Sequence, residues 1–568
     1  MILALYFLIA IWSNHSGWNT SRTALAAPLD ALLNIYTLNW EYRWITDSSV
    51  SFKTFLDGLI FYPAPYTIAL TENSFGLQLL FFPIRYLTGD ALFAYNLTVF
   101  FSFPIAAFTQ FLFVRWLTGS TTGAFLGGWI WGFSPMRYAQ IGHFHLLPVW
   151  WFSIASLSLF KFFEAPSLLW LLVCNFALVF QYMSSISLGV FLACTLAVIT
   201  SCFAKHQWQH LKGFYLQYRV AIWSLLLVNI FFGICFFWPY YQASRLWPLA
   251  RSLNENIVYS AELQNYLSAT TYHPIYGPLT QIFSAKDAPW EKWLFVGVTP
   301  LLLVLLTFSL RMNSAFSSHS RYLCFKSLAW VAIVGFVLSL GPQLVVSQHN
   351  THIPLPYTLA YYLLPGFKSL RVPSRFSILF LFGLSAWCSL TICRSQQLLR
   401  KPFHRWCFVA ALTGLLLIDA HHQIPTVPQP AKASFQQLVS FLNQEPTQGP
   451  IAIIPIRVKS ATNFDEFVQA LSKEAEREYI LSETRRRMIN GYSRSSLPQY
   501  DLLAESYAHK PLSGFFRDIL KLGVSEVIIE VPSLTETECS QLRALLAQGQ
   551  IRWVATLNAY QVVELLPE

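Results

Sequence analysis

The chain has 568 residues, of which 54% are hydrophobic, 17% aromatic and only 12% charged. A typical soluble domain carries about 25% charged residues, so this composition excludes an ordinary water-soluble protein. Long apolar runs with few charges are instead typical of helices that cross a membrane. The sequence therefore predicts a polytopic α-helical membrane protein.

Charge divides the chain into two regions. Only 12 of the 28 acidic residues precede residue 431, whereas 24 of the 38 basic residues do, so the formal charge is +12 before this point and −2 after it. We expect a transmembrane body over 1–424 and a soluble, extracytoplasmic α/β domain over 425–568. A linker is marked by Pro425, Pro428 and Pro430. The basic residues lie in short loops between apolar runs, so no nucleic-acid partner is expected.

Eleven apolar runs approach the roughly 20 residues that a helix needs to cross the hydrocarbon core. They cover residues 1–12, 92–114, 121–135, 147–163, 167–183, 186–204, 219–237, 293–310, 327–344, 374–393 and 406–420. The first run is short and lacks the preceding positive cluster of an anchor, so we expect the natural start to lie a few residues earlier. About eleven transmembrane helices are predicted.

Basic residues set the orientation. They concentrate in the loops 205–219, 311–326 and 394–405, and the positive-inside rule makes that side cytoplasmic. The amino terminus is then cytoplasmic, in an inner (plasma) membrane. The tail faces outward together with the outer loops 13–91, 136–146, 238–292 and 345–373. Counting Phe75–Leu87 as a further crossing would invert every later loop, so it is predicted to be a helix at the membrane interface.

The tail has the pattern of a small α/β domain. Ser434–Asn443 has helical apolar spacing, and Thr535 with Glu538 forms a capping box before another helical run. Strand-like runs lie at 451–456, 524–531, 553–557 and 560–566.

Two of the few acidic residues in the body are candidates for catalysis. Asp30 follows the first span and begins an amphipathic segment, where it could act as a general base or a metal ligand. Glu72 precedes the interfacial helix. The alternative for both is a charge that caps a helix or complements its dipole, which is the commoner role of such a residue as Asp30.

A second polar cluster contains Arg137, His143 and His145, just after a span rich in small residues. Arg137 could bind a phosphate, and the imidazoles could bind a hydroxyl, a phosphate or a metal. Histidines flanked by aromatic residues at an interface are often structural, but two of them beside an arginine favour function. We include Glu262, another outer acid, with His143 and His145 as candidates for substrate binding.

Three cations, Lys368, Arg371 and Arg375, lie at the outer end of a span, against the positive-inside trend. Arginine suits a bidentate grip on phosphate, so Arg371, Arg375 and Arg137 are predicted to bind a donor phosphate. Snorkelling to lipid headgroups is the alternative. In the tail, Arg485–Arg487 is predicted to be a solvated basic run that leads into a turn at Asn490–Ser493.

Together these motifs resemble the GT-C membrane glycosyltransferases, in particular a bacterial group with a C-terminal extracytoplasmic domain. The resemblance is carried, in family order, by Asp30 and by residues 63–76, 94–97, 133–143, 364–375 and 490–493. It implies a GT-C-like fold, a sugar donor on polyprenyl phosphate, and a catalytic acid at Asp30 with Glu72 as a second carboxylate. The second outer loop departs from the family, because it offers Arg137 and histidines where acids are frequent. Whether a divalent cation is the cofactor therefore stays open.

The resulting hypothesis is an inverting transferase with Asp30 as its base. It moves a sugar from a polyprenyl-phosphate donor, within the membrane lipids, to an extracytoplasmic glycan, lipid or protein acceptor. A transporter or flippase of lipid-linked glycans is one alternative, although transporters usually keep polar residues at mid-membrane in broken helices. A non-catalytic scaffold that binds an envelope glycan through its tail is the other.

Overall fold

The computed structural model describes residues 1–247, 249, 251–285, 287–310, 319–364, 366–429, 432–444, 449–493 and 497–566. The predictions at Pro365 and Pro430, and those for most of the loop 311–326, lie outside these residues.

Helices make up most of the body. In chain order they are α1 (Ile2–Ser13), α2 (His15–Asn19), α3 (Pro28–Thr46), α4 (Phe52–Asp57), α5 (Gln78–Thr88), α6 (Ala91–Thr118), α7 (Thr121–Phe133), α8 (Pro135–Ala139), α9 (Trp150–Glu164), α10 (Leu168–Ser184), α11 (Ile186–Leu246), α12 (Leu253–Val258), α13 (Tyr276–Thr280), α14 (Val298–Ser309), α15 (His319–Ser339), α16 (Pro356–Leu363), α17 (Ser377–Leu398) and α18 (Pro402–Ala420). Short strands β1 (Ala24–Leu25) and β4 (Val427–Pro428) pair antiparallel, as do β2 (Gln343–Val346) and β3 (His349–Pro354).

Each predicted span lies largely within one of these helices, and the spans 186–204 and 219–237 share α11, which is kinked at Tyr218. In the described part of the chain, seven helices are long and apolar enough to cross a membrane: 91–118, 144–164, 186–204, 206–246, 320–339, 373–398 and 402–420. The other four spans match the shorter helices α1, α7, α10 and α14. The chain is thus an α-helical membrane protein, and the number of crossings stays a prediction.

The stretch Phe75–Leu87 is a 3-10 turn, Phe75–Leu77, followed by α5. The 11 residues of α5 extend about 16 Å at 1.5 Å per residue, which is about half of the hydrocarbon core. Length alone does not decide whether α5 crosses, since α1, α7 and α14 are only 12 or 13 residues long and match predicted spans. The place of α5 at the membrane interface stays a prediction.

The tail contains a four-stranded sheet in the order β5–β6–β8–β7. Its strands are β5 (Ile451–Ile454), β6 (Glu526–Glu530), β7 (Ile551–Leu557) and β8 (Tyr560–Leu565), and its helices are α19 (Lys432–Gln444), α20 (Phe464–Leu481), α21 (Pro498–His509), α22 (Leu512–Leu520) and α23 (Glu536–Ala547). Strands β5 and β6 are parallel, and the other pairs are antiparallel. The four predicted strands are present, and the capping box of Thr535 and Glu538 is formed.

Side chains join the tail to the first outer loop. Arg85 of α5 is 8% exposed, and its Nη2 donates to both carboxylate oxygens of Glu483 at 2.9 Å. The Nε of Arg85 donates to Asn39 Oδ1 at 2.8 Å, and Asn39 Nδ2 donates to Ser482 Oγ at 3.0 Å. The buried guanidinium of Arg85 is thus bonded both to Asn39 of α3 and to Glu483 of the tail. These bonds fix the position of the tail on α3 and α5.

Main-chain hydrogen bonds extend this contact. The Met488 N–H donates to Leu59 O at 2.7 Å, the Tyr62 N–H donates to Met488 O at 2.9 Å, and the Phe61 N–H donates to Asn490 O at 2.9 Å. The tail segment therefore pairs with the first outer loop in the manner of an added strand.

The prediction that Arg485–Arg487 is a solvated run is wrong. Arg486 is 2% exposed and pairs with Glu526, and the guanidinium of Arg487 lies 4.9 Å from the ring centroid of Tyr62. Arg485 alone of the three is half exposed. The run is covered because the sheet packs on one side of it and the first outer loop on the other.

We predict that Glu483→Gln destabilises the protein by about 3–5 kcal/mol, because it leaves the charge of Arg85 buried without its carboxylate. Chemical denaturation in detergent, followed by tryptophan fluorescence, measures the change. Glu505→Gln is the matched control, since Glu505 is 52% exposed and lies 3.7 Å from Lys459; it should cost about 1 kcal/mol or less. Equal losses in the two variants would contradict this account of the contact.

Candidate functional site

Arg375 lies at the centre of a buried polar cluster. It belongs to the 3-10 turn Pro373–Phe376 that leads into α17, where Pro373 occupies the first position. Its Nε donates to Glu291 Oε2 at 3.0 Å, and its Nη2 donates to Glu291 Oε1 at 2.6 Å. Its Nη1 lies 3.1 Å from His145 Nε2. A bidentate pair of this kind fixes the guanidinium in one orientation.

Glu291 connects two of the predicted outer loops. His143 Nε2 lies 3.2 Å from Glu291 Oε1, and His143 Nδ1 lies 3.0 Å from Gln140 Oε1. Burial would raise the pKa of Glu291, but the charges of Arg375 and His143 outweigh it and lower this pKa to about 2. The carboxylate of Glu291 is therefore ionised at neutral pH.

Asp30 lies in the first turn of α3, whose first residue is Pro28. Proline is favoured at that position because a helix needs no N–H donor there. The location agrees with the helix-terminus alternative, but the carboxylate also has a distant partner. Tyr492 of the tail donates its hydroxyl to Asp30 Oδ1 at 3.0 Å, and the main-chain N–H of Tyr492 donates to Glu478.

Glu72 accepts hydrogen bonds from the segment that begins α11. Ser185 Oγ donates to Glu72 Oε2 at 2.7 Å, and Ser187 Oγ donates to Oε1. Behind it, Glu41 accepts from the Ser74 N–H at 2.9 Å and from Gln78 Nε2 at 3.0 Å. These hydrogen bonds hold the loop that contains Glu72 and Ser74 between Glu41 of α3 and the start of α11.

The guanidinium of Arg375 also interacts electrostatically with both predicted catalytic acids. Besides Glu291, the carboxylates of Glu72 and Asp30 both lie within electrostatic range of the Arg375 guanidinium. The structure thus brings Asp30, Glu72 and Arg375 into one neighbourhood, and hydrogen bonds or ion pairs add His143 and His145 to it.

Arg137 is a buried cation beside this cluster. It is 1% exposed, its Nη2 donates to Leu147 O at 3.0 Å, and its guanidinium lies 5.3 Å from the ring centroid of Phe103. Its Nε and Nη1 have no hydrogen-bond partner among the described residues. A cavity of about 20 Å³ lies between Arg137, Gln140 and Arg375, which is room for about one water molecule. A buried charge without a counter-ion is costly, so this point attracts an anion.

The other two predicted site residues have partners of their own. Arg371 Nε lies 2.8 Å from Glu255 Oε1, and its Nη2 donates to the Tyr259 hydroxyl at 2.5 Å. Its charge also acts on Glu291. Glu262 accepts the Gln348 N–H at 3.0 Å and takes part in a capping box. The described contacts of Glu262 hold the hairpin β2–β3 and do not join it to the Arg375 cluster.

The sequence does not single out Glu291, and it indicates Tyr492 only as part of the turn Asn490–Ser493. The sequence contains only a weak signal for Glu291. It is an outer acid, and another outer loop carries three cations with which it can pair. Which cation pairs with Glu291 is not readable, because Arg375 lies 84 residues away.

The carboxylates do not converge as metal ligands. Asp30, Glu72 and Glu291 are bonded to three different donor groups. Within the described ranges, no group of three or more His, Cys, Asp and Glu residues could hold a metal ion. The described residues therefore do not fit a bound metal ion.

Comparison with solved structures bears on the fold. The arabinofuranosyltransferase AftD from mycobacteria superposes with a TM-score of 0.52 at 12% identity, covering 99% of this chain and 41% of that protein. The chain has a GT-C glycosyltransferase fold. It spans about two-fifths of the length of AftD. The fold-level resemblance predicted from the sequence is thereby confirmed.

Two further solved structures resemble the chain more weakly. The Archaeoglobus fulgidus oligosaccharyltransferase in its apo form gives a TM-score of 0.46 at 12% identity, covering 93% of this chain and 69% of that one. ArnT from Cupriavidus metallidurans gives 0.34 at 13% identity, covering 99% and 97%. No protein-family model and no curated protein sequence matches the chain.

The loop that carries Glu72 should be sensitive to pH through Glu41. Burial raises the pKa of Glu41 to about 7, although its hydrogen bonds from Gln78 and Ser74 oppose the rise. In the unfolded chain this carboxyl loses its proton near the ordinary glutamate value of 4.5, so the folded state binds more protons between these two values. We predict that the free energy of unfolding falls by about 2–3 kcal/mol between pH 5 and pH 8.

Denaturation of the wild type and of Glu41→Gln across this pH range tests the assignment. The variant should lack this part of the slope, because it has no carboxyl to ionise. Glu466→Gln is the control: hydrogen bonds from Thr462 lower the pKa of this exposed carboxyl, which is ionised throughout the range in both states. Other buried carboxyls with raised pKa, such as Glu474, contribute a slope of their own, so only an unchanged slope in Glu41→Gln would refute the role of Glu41.

Proposed function

We propose that this GT-C fold protein is a membrane glycosyltransferase that moves a sugar, with inversion, from a polyprenyl-phosphate donor to an extracytoplasmic acceptor. The observation that carries the proposal is the shared neighbourhood of Asp30, Glu72 and Arg375. Glycosyl transfer from a phosphate needs an acid–base group for the acceptor proton and a cation for the leaving phosphate. Asp30 contacts the tail through Tyr492, and Arg375 lies within electrostatic range of Asp30.

In the proposed reaction, the acceptor hydroxyl oxygen attacks the anomeric carbon while Asp30 takes the hydroxyl proton. The bond between that carbon and the phosphate oxygen breaks, and the polyprenyl phosphate leaves with the electron pair. Attack from the face opposite the phosphate inverts the anomeric centre. Tyr492 occupies Oδ1 of Asp30, so the acceptor would approach Oδ2, and the hydroxyl of Tyr492 holds the carboxylate in place for it.

Arg137 and Arg375 are the proposed partners of the donor phosphate. Arg375 uses three N–H groups on Glu291 and His145, which leaves two of its five donors. Arg137 adds Nε and Nη1. The cavity between them has room for about one water molecule. A phosphate group therefore enters only if a side chain such as that of Gln140 moves. Arg371, which is 40% exposed, would meet the phosphate or the lipid headgroups further out.

The proposed orientation follows the loop charges. The amino terminus is cytoplasmic, and the outer loops and the tail lie on the extracytoplasmic side of the inner membrane. His143 and His145, which flank the Glu291–Arg375 pair, would border the sugar. Glu262 would act on substrate through the hairpin β2–β3, whose turn it holds at Gln348.

We expect Asp30→Asn to abolish sugar transfer while membrane insertion and folding stay intact, because the amide cannot accept the acceptor proton. The measurement is transfer of radiolabelled sugar, with release of polyprenyl phosphate, from a panel of polyprenyl-phosphate sugars to a panel of oligosaccharide, lipid and peptide acceptors by the purified protein in lipid nanodiscs. Asp465→Asn, at an exposed position of α20, is the matched control and should retain full turnover.

Two results would contradict the assignment of Asp30 as the base of a glycosyltransferase. One is wild-type turnover by Asp30→Asn. The other is movement of a lipid-linked glycan across liposome membranes by the wild type without a new glycosidic bond, which would favour the transporter alternative.

Arg137→Gln should weaken binding of polyprenyl phosphate at least tenfold, because a buried guanidinium that lacks a counter-ion is removed from the phosphate site. Binding of fluorescent polyprenyl phosphate to the protein in nanodiscs measures the effect. Arg115→Gln is the control, since Arg115 is an exposed residue at the predicted cytoplasmic end of α6. Unchanged affinity in Arg137→Gln would remove Arg137 from the donor site.

A further inference from the structure

The tail contains a cavity of about 320 Å³ that the proposed reaction does not use. It lies beyond the carboxyl ends of the parallel strands β5 and β6, since Pro455 and Glu530 are in its wall. In open α/β sheets, the crevice outside the carboxyl ends of parallel strands is where ligands usually bind. The volume is at the lower end of that of small-molecule sites, about 300–1,000 Å³.

Charged side chains in the wall of this cavity are already paired. Arg477 Nη1 donates to Glu474 at 2.7 Å, and its Nη2 donates to Glu530 at 3.1 Å. Lys473 Nζ donates to Glu530 at 3.2 Å, and Arg457 holds both carboxylate oxygens of Glu538 at 2.6 and 2.8 Å. The cavity therefore has no surplus of positive charge with which to capture a phosphate.

The wall nevertheless combines hydrogen-bond donors and acceptors, since the paired cations and carboxylates line the cavity together with neutral polar side chains. Ser460, Gln469 and Ser533 add uncharged polar groups to the wall. A hydroxyl both donates and accepts a hydrogen bond, so a neutral ligand rich in hydroxyls satisfies such a wall better than an anion or an apolar molecule.

A single helix connects this cavity to Asp30. Helix α20 carries Glu474 and Arg477 in the cavity wall, and its next residue, Glu478, accepts the main-chain N–H of Tyr492. The hydroxyl of Tyr492 in turn donates to Asp30. A ligand in the cavity is therefore held by the same helix that positions the tyrosine on the proposed base.

We propose that this cavity binds a neutral, hydroxyl-rich segment of the sugar acceptor. The cavity supplies affinity and holds the acceptor on the tail, while the reacting hydroxyl extends towards the proposed base. The identity of the ligand as an acceptor depends on the proposed function, but binding of such a ligand does not.

The test is direct binding to the full-length protein in nanodiscs. The probes are linear neutral gluco-, manno- and galacto-oligosaccharides of four residues and their 6-phosphorylated counterparts. Gln469→Trp fills the cavity from an exposed position of α20, and Gln437→Trp, at an exposed position of α19, is the matched control. We expect saturable binding of at least one neutral probe, a loss of at least tenfold in Gln469→Trp, and no change in Gln437→Trp.

Three outcomes overturn this proposal: no saturable binding of any neutral probe, tighter binding of a phosphorylated probe, or full binding by Gln469→Trp. Its failure is distinguishable from failure of the proposed transfer reaction. Asp30→Asn should bind the neutral probe as the wild type does, because Asp30 lies outside the cavity. Transfer by Gln469→Trp with the wild-type KM for acceptor would remove the cavity from the reaction while leaving the reaction in place.

Discussion

The buried ion pair of Glu291 and Arg375 is the interaction on which the candidate site depends. A carboxylate removed from water costs several kcal/mol unless a counter-charge and hydrogen bonds compensate for it, and Arg375 supplies both. His143 and His145 contact the same pair. Residues from three separate parts of the body are therefore held together, with Asp30 and Glu72 within electrostatic range of the shared cation.

The tail is fixed to the body by the same kind of physics. Arg85 of the first outer loop is buried against Glu483, and main-chain hydrogen bonds continue the contact to Asn490. The next residues bring Tyr492 to Asp30. These buried polar contacts fix the tail against the first outer loop, as the proposed joint action of its cavity and Asp30 on one acceptor requires.

Much of the fold could be predicted, because helices and strands follow from local patterns. All eleven apolar runs correspond to helices, and the capping box at Thr535 is present because both of its residues lie in one turn. The acid and the cations of the candidate site were predicted as residue types at a membrane surface. Their partners could not be predicted, because Tyr492 lies 462 residues from Asp30. For the same reason the prediction of a solvated run at Arg485–Arg487 was wrong.

By itself the sequence determined that this protein is a helical membrane protein whose basic residues are concentrated in a few loops between apolar runs, because hydrophobic length and loop charge are local properties. It also carried the GT-C resemblance in the order of its motifs. Only the tertiary structure decided which carboxylate holds Arg375, that Arg137 is a buried cation with two nitrogens that lack a hydrogen-bond partner in the described part of the chain, and that the tail reaches Asp30. Those outcomes depend on which distant segments meet and exclude water, and that is a property of packing.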